Sequence, residues 1–489
     1  MSIAIVFVAF LAFFIAFFLI KTIALGRFPE PVSMIDKPQI DQGEVSKHLS
    51  ELIQFKSISN EASSETDTAP FLQIHDWIKK TYPLVSSKLE RTKINTCSLL
   101  YTLPGSDARL APVLLNAHMD VVPVEETTLP AWKVEPFGGV IRDGYIWGRG
   151  ALDMKSQVIG LLDSMEHLLR EGFSPKRTIY LAFGHDEEIM GFNGTQKIVE
   201  HLKAQGVKLA AILDEGGMVS KGSIPGVEEP FALIGVSEKG YLTLKLSAAG
   251  SPGHSSQPPR QTAVGVISRA IALLDDHPMP ARLDFFLPTL RRLGHLLPFG
   301  LQVVIANSWL FKKVLVKQLM ASPQMNAMIR TTHAATMVNG GIKDNVLPAE
   351  ATAKINFRLL PGDSIDSVIA YVSKVFNDPR VDVKVDEDNG GWEASQVSPV
   401  STPAYLSLEL VTRQIFDNVS VAPFVFLAAT DSRHYQSICS NIFKFSPFVL
   451  TAEEQNGIHG VNERISQRSL ADMVAFYVRI MRVWGEAEF

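Results

Sequence analysis

His118, Asp120, Asp153, Glu187, Glu188, Asp214 and His459 are the side chains of this sequence whose types and order could do metal chemistry. A catalytic zinc ion takes nitrogen and oxygen donors at about 2.0–2.2 Å and keeps one position for water. Two such ions sharing one carboxylate need five ligands, and His118, Asp153, Glu188, Asp214 and His459 complete that set. Metals about 3.5–4 Å apart lower the pKa of a shared water to near 7 and polarise a carbonyl oxygen. Glu187, adjacent to Glu188, is the expected general base. Asp120, two residues after His118, is expected to hold that imidazole in one tautomer.

Taken singly, each of these residues has a second reading. Asp153 stands where a glycine-rich turn enters an amphipathic helix with Val158, Leu161, Leu162, Met165, Leu168 and Leu169 at helical spacing, so it reads either as an N-cap or as a ligand. A lone His-x-Asp or Glu-Glu pair is usually a solvated loop. Of the twelve histidines, His48, His75, His167 and His201 lie in helical sequence and read as structural, while His185 and His434 are undecided.

The elements that must position these groups follow from the pattern. Short apolar runs at 113–117, 178–183 and 210–213 alternate with helical stretches, which predicts an α/β fold, a mainly parallel mixed sheet with helices on both faces. Ligands bind beyond the carboxyl ends of such strands, where His118, Asp120, Glu187, Glu188 and Asp214 fall. Residues 45–236 and 396–489 read as the catalytic domain. Between them, 237–395 reads as an inserted α+β lid, with alternating strands at 242–246 and 351–359 and helices at 263–274 and 364–376. Arg358 falls on the polar face of its strand with Lys354 and Asn356, where a planar guanidinium can bind a carboxylate through two hydrogen bonds. Residues 276–332 form an extra apolar segment. They read either as helices packed on the insert or on a partner subunit, or as a surface for a greasy substrate or a membrane.

Composition bounds the rest. A hydrophobic content of 46% suffices for two cores, and a net charge of -5 with interspersed signs leaves no footprint for nucleic acid. Cys97 and Cys439 make no Cys-x-x-Cys pair and allow either one disulfide or two buried thiols. Residues 1–28 carry an apolar run, 3–20, that reaches roughly 27 Å as a helix and reads as a signal peptide or an anchor. Lys21 and Arg27 after it favour a cytosolic body, but its position at the N-terminus suits entry into the secretory pathway, followed by a tether at 29–44. Asn193-Gly194-Thr195 and Asn418-Val419-Ser420 fit glycosylation acceptors.

The motifs in order are Asn-Ala-His-Met-Asp at 116–120, Gly-Arg-Gly-Ala-Leu-Asp-Met-Lys at 148–155, Gly-His-Asp-Glu-Glu at 184–188, Leu-Asp-Glu-Gly at 213–216, Gly-Ser-Pro-Gly-His-Ser-Ser at 250–256 and His-Gly-Val-Asn-Glu at 459–463. As an ordered set they resemble the di-zinc aminoacylase and carboxypeptidase family, in the branch of carboxypeptidase S and the N-fatty-acyl-amino acid synthase/hydrolases. The resemblance implies one zinc on His118 and Asp214, the other on Glu188 and His459, Asp153 bridging, and Glu187 as base and later proton donor. It also implies His254 as the oxyanion-stabilising histidine, often delivered across a homodimer. Asn345 and Arg358 become binders of the substrate's polar group and carboxylate, with Arg433 a second carboxylate binder. The implied activity is hydrolysis of the amide between an acyl group and an amino acid with a free carboxylate, with reverse condensation. A long-chain N-acyl amino acid is the foremost substrate and a Gly-X dipeptide the rival. The alternatives of another class are a metal-bound scaffold and a lipid-binding protein without chemistry.

Overall fold

In the computed structural model, which describes residues 2–33, 35–60, 66–222, 227–388 and 390–486, two sheets divide the work. The strands, in chain order, are β1 (Glu90–Ile94), β2 (Ser98–Leu103), β3 (Val113–His118), β4 (Val140–Arg142), β5 (Tyr145–Trp147), β6 (Ile179–Gly184), β7 (Ala211–Lys221), β8 (Phe231–Glu238) and β9 (Gly240–Ala249). There follow β10 (Gly253–His254), β11 (Thr332–Gly340), β12 (Val346–Leu347), β13 (Glu350–Leu359), β14 (Asp382–Val385), β15 (Gly391–Trp392), β16 (Ser420–Phe426), β17 (Ile442–Thr451) and β18 (Arg464–Ser466).

The larger sheet has eight strands in the order β1-β2-β6-β3-β7-β17-β8-β16. Its centre, from β6 through β17, is parallel, and antiparallel pairs bring in β1 and β2 at one edge. Strands β3 and β6 are buried along their whole length, which is why they read as unbroken apolar runs rather than as alternation. The helices Lys155–Arg170 and Gln467–Glu486 lie against each other. Gly160 permits that contact, because a Cβ there would stand 2.7 Å from Met473 Sδ. The pairing matters to the site, because Asp153 precedes the first helix and His459 precedes the second. Truncating fully buried Leu161 or Met473 to Ala would cost about 2–5 kcal/mol.

The second sheet, β11-β13-β9-β14 with β15 also on β9, is covered by the helices Ala263–Asp276 and Ile365–Phe376 around a core that includes Leu242, Leu244, Ile355 and Phe357. The chain passes between the sheets twice, and the two passages are tied together. Ser237 Oγ donates to the Ser395 carbonyl at 2.8 Å, and the Glu238 amide donates to Ser395 Oγ at 2.8 Å. Asn389, the first residue of the Asn-Gly-Gly turn read as the return point, lies outside the described residues.

Residues 276–332 form four short α-helices. The helix Leu287–Arg292 lies on β16 at the edge of the larger sheet, with Thr289 Oγ1 donating to the Pro423 carbonyl at 2.6 Å, while Arg282 ties the segment to the insert by donating to the Pro361 carbonyl at 3.0 Å and pairing with Asp363 at 3.1 Å. Both cysteines are buried free thiols, so no disulfide forms. Asn418 is exposed in a turn, whereas Thr195 of the other acceptor triplet is fully buried and donates to Asp431 Oδ2.

Candidate metal centre

His118 ends β3, and Glu187 and Glu188 form a one-turn helix just past β6, so two neighbouring parallel strands deliver them to one rim. Asp120 fixes both. Its Oδ1 lies 3.2 Å from His118 Nδ1, and its two oxygens accept the amides of Glu187 and Glu188 at 3.2 and 3.1 Å. With Nδ1 so engaged, Nε2 of His118 is left facing the carboxylates.

Asp153 is no helix cap. The helix begins at Lys155, its N-cap position is Met154, and no side chain caps it. The carboxylate instead lies between two imidazoles, Oδ1 at 3.1 Å from His118 Nε2 and Oδ2 at 2.9 Å from His459 Nε2. Glu188 Oε2 stands 3.2 Å from His459 Nε2, and its other oxygen is buried without a hydrogen-bond partner.

The fifth position corrects the sequence reading. Glu215, not Asp214, stands beside His118, with Oε1 at 3.4 Å from Nε2. Asp214 is buried and accepts from Asn116 Nδ2 at 3.0 Å. The cause is a bulge. Strand β7 does not stop at Leu213 but runs on to Lys221, and its register against β17 jumps from Asp214↔Lys444 to Gly217↔Phe445, leaving Glu215 and Gly216 unpaired. A bulge re-aims the extra side chain. Gly216, at φ 138°, takes the conformation that this requires. The Gly-Gly pair after Glu215 was the available signal for it.

Donor atoms around one ion at about 2.1 Å in tetrahedral geometry lie about 3.4 Å apart. The separations of 2.9–3.4 Å among His118, Glu215, Asp153, Glu188 and His459 match that spacing, and they fall into two groups sharing Asp153. The donor set and the orphaned Glu188 oxygen therefore fit a pair of divalent cations. Electrostatics agree. Burial, followed by Glu215, pushes the Glu187 pKa well above its ordinary value, and burial with the nearby Asp153 pushes Glu215 up to about 8. His459, bonded to Asp153 and Glu188, rises to about 10. Burial alone would lower the pKa of His118, but Glu215, Asp120 and Asp153 outweigh it and hold it well above its ordinary value. Despite burial, Asp153 and Asp120, held by the imidazoles, are instead lowered, so the cluster crowds negative charge onto Glu187 and Glu215, the kind of charge that a divalent cation would balance.

Sequence alone did not reveal what holds the loops. Glu463 Oε1 accepts the amides of Gly150, Leu152 and Asp153 at 3.1, 2.7 and 3.1 Å. Arg149, paired with Glu463 Oε2, also donates through Nη2 to the His459 and Gly460 carbonyls. The loops carrying Asp153 and His459 are thus clamped together, and β18 on β5 continues the join.

The lid residues do not converge on this cluster. His254 and Asn345 are exposed neighbours: β10 pairs with β12, and the Ser255 amide donates to the Asn345 carbonyl. Arg358 lies over the Tyr241 ring at 4.8 Å, Tyr241 stacks on Trp392 at 4.7 Å, and Arg433 lies over the Trp392 ring at 4.9 Å. Arg433 also donates to the Met190 carbonyl at 2.6 Å, next to the Glu187–Ile189 turn. Arg358 has no carboxylate partner among the described residues, whereas Lys354 on the same face pairs with Asp386 and Asp388. The undecided histidines hold loops, His185 against Ser98 Oγ and His434 against the Met190 carbonyl.

Comparison with known proteins agrees with this architecture. The Peptidase family M20/M25/M40 profile matches residues 114–483. The N-fatty-acyl-amino acid synthase/hydrolase PM20D1 of Xenopus tropicalis is 41% identical over 430 residues, covering 86% of this chain and 82% of its own length. The probable carboxypeptidase S-like 2 of Dictyostelium discoideum is 38% identical over 90% of this chain and 85% of its own. Among solved structures, the M20 family metallo-carboxypeptidase Sso-CP2 of Sulfolobus solfataricus superposes with a TM-score of 0.64 at 18% identity, over 91% of this chain and 100% of its own. Both the fold and the ordered motifs thus lead to one conclusion: the chain belongs to peptidase family M20/M25/M40 and is a metal-dependent hydrolase.

Proposed function

We propose that the chain hydrolyses the amide between an acyl group and an amino acid bearing a free carboxylate, long-chain N-fatty-acyl amino acids foremost, and catalyses the reverse condensation when product concentrations favour it. The observation that carries this reading is the Asp153 carboxylate held between two imidazole–carboxylate groups, with Glu187 beside them. The names of the relatives support the substrate class.

His118, Asp153, Glu188, Glu215 and His459 are the proposed ligands of two zinc ions. When bound, the pair lowers the pKa of a water to near 7 and polarises the scissile carbonyl. Glu187 takes the proton of the attacking water and passes it to the leaving amine, a role suited to a carboxyl whose pKa is already raised by burial. Asp120 keeps His118 oriented. Arg358 binds the substrate carboxylate in two hydrogen bonds, and Arg433 steadies the same end of the cleft. His254 stabilises the oxyanion and Asn345 the amide. Since both are exposed on the lid, they serve the site of a second subunit. The open edge strand β11, with Met337 and Val338 half exposed, suits that homodimer.

Purified protein loaded with zinc should turn over an oleoyl amino acid at least ten times faster than a blocked Gly-Leu dipeptide. The opposite ranking would establish the dipeptide carboxypeptidase reading, which the carboxypeptidase S-like relative supports. Turnover of neither would leave a scaffold or lipid binder. Hybrid dimers of His254→Ala and Glu187→Gln chains should recover activity, and no recovery would mean that the lid serves its own subunit. The apolar N-terminal helix supports placement in the secretory pathway, membrane-anchored or released.

A further inference from the structure

The helix Ser2–Leu25 is long and apolar enough to cross a bilayer and is almost wholly exposed along its apolar length, yet it does not stand apart from the body. Its second half is built into the extra segment. Phe14 and Phe18 meet the Trp309 ring edge-on at 6.3 and 6.1 Å. Thr22, 1% exposed, lies 3.4 Å from the Nδ2 of fully buried Asn307. Leu25 closes over Gly294, where a Cβ would stand 2.4 Å from it. The helix Ser308–Leu319 therefore starts alongside the apolar helix, and there it exposes Trp309, Leu310 and Val314, each about half accessible.

We infer that this first turn and a half of the helix Ser308–Leu319 is a second membrane contact, immersed in the interfacial layer of an anionic bilayer beside the spanning helix. Depth follows from the ladder of contacts. Lys21 is the first charged residue after the apolar run and marks the water boundary, and its ammonium folds back over the Phe17 ring at 4.5 Å. Phe14 lies seven residues further in, about 10 Å along a helix. Trp309, touching both Phe14 and Phe18, thus sits at the roughly 5–10 Å depth at which interfacial helices bury their apolar face. Tryptophan is the residue suited to that layer. Lys312, Lys313 and Lys317 are exposed on the same helix, where they meet anionic headgroups. A single spanning helix leaves the body free to swivel. Two contacts fix one face toward the lipid, and the occupant is a bilayer because the patch continues the surface of a helix that is itself built for one.

The test uses the full chain in vesicles of phosphatidylcholine and phosphatidylserine, with lipids brominated near the headgroup end of the acyl chain. Bromine should quench part of the tryptophan emission, and Trp309→Phe should remove most of that quenched part while leaving hydrolysis unchanged. Bromine at the chain terminus should quench less. Equal quenching of the two proteins would overturn the inference, as would a Leu310→Cys variant that cross-links to a second copy while Trp309 stays unquenched. Mass spectrometry showing that the protein isolated from cells lacks residues 2–25 would overturn it as well.

Discussion

Arg149 and Glu463, 314 positions apart in sequence, form an ion pair at 2.6 Å with 4% and 0% of their side chains exposed. A charge pair so completely buried is costly to break from one side only, because the survivor is left unpaired. Glu463→Gln keeps an acceptor for the three amides of the Asp153 loop but strips Arg149 of its countercharge. We expect it to lower metal affinity or turnover about 10- to 100-fold. Titration with a zinc-buffered indicator reads the first and substrate hydrolysis the second, and unchanged values in both would show that the clamp does not tune the cluster.

Glu215 and Asp214 make opposite predictions. Glu215→Ala removes a carboxylate 3.4 Å from His118 and should leave the protein with about one metal equivalent after dialysis, by the two-site reading of the cluster. Asp214→Asn, which keeps the hydrogen-bond partner of Asn116, should retain both. Elemental analysis of the dialysed proteins decides, and the reverse pattern would return the ligand role to Asp214.

Arg358 is expected to act on KM rather than kcat. Replacing it by Met removes charge-assisted hydrogen bonds to a carboxylate worth about 1.5–3 kcal/mol, or roughly 10- to 150-fold in KM. The methyl ester of the same substrate should lose nothing. Trp392→Ala leaves the guanidinium in place but unsupported behind Tyr241, and a smaller rise in KM for the free acid alone is expected.

Away from the metal centre, stability should depend on pH through His48, whose Nδ1 lies 2.9 Å from Asp163. Burial opposes the charged imidazole, but Asp163 outweighs it and the His48 pKa is raised. Burial also raises Asp163 despite His48, so both partners bind protons more readily in the folded chain. The His48 contribution is complete on the acid side of the ordinary histidine range, for as long as Asp163 stays ionised, and is lost as pH rises through the raised histidine value. His48→Gln should cost about 1–3 kcal/mol below neutrality and progressively less above it, which thermal melts across that range would check. A gap that widened with pH would contradict the assignment.

A candidate metal site was legible in the sequence because few residue types can serve as metal ligands. Alone, the motifs at 118, 153, 188 and 459 each allow a second reading, and only as an ordered set do they point to the donors of one site. Asp214 misled because strand ends are inferred from where apolar residues stop, and a strand that bulges through its polar residues hides its true length. Glu463 was invisible for another reason. Its partners are backbone amides and a distant arginine, and neither leaves a pattern in residue spacing. The extra segment was recognisable as helical and apolar, but which surface it covers depends on tertiary neighbours such as β16 and the N-terminal helix.

The His459 loop enters the centre from close to the carboxyl end, next to the last strand and the last helix. The proposed donors therefore come together only when loops more than three hundred positions apart have met, so that keeping a metal through dialysis would report on the folding of the whole larger sheet and on no local segment.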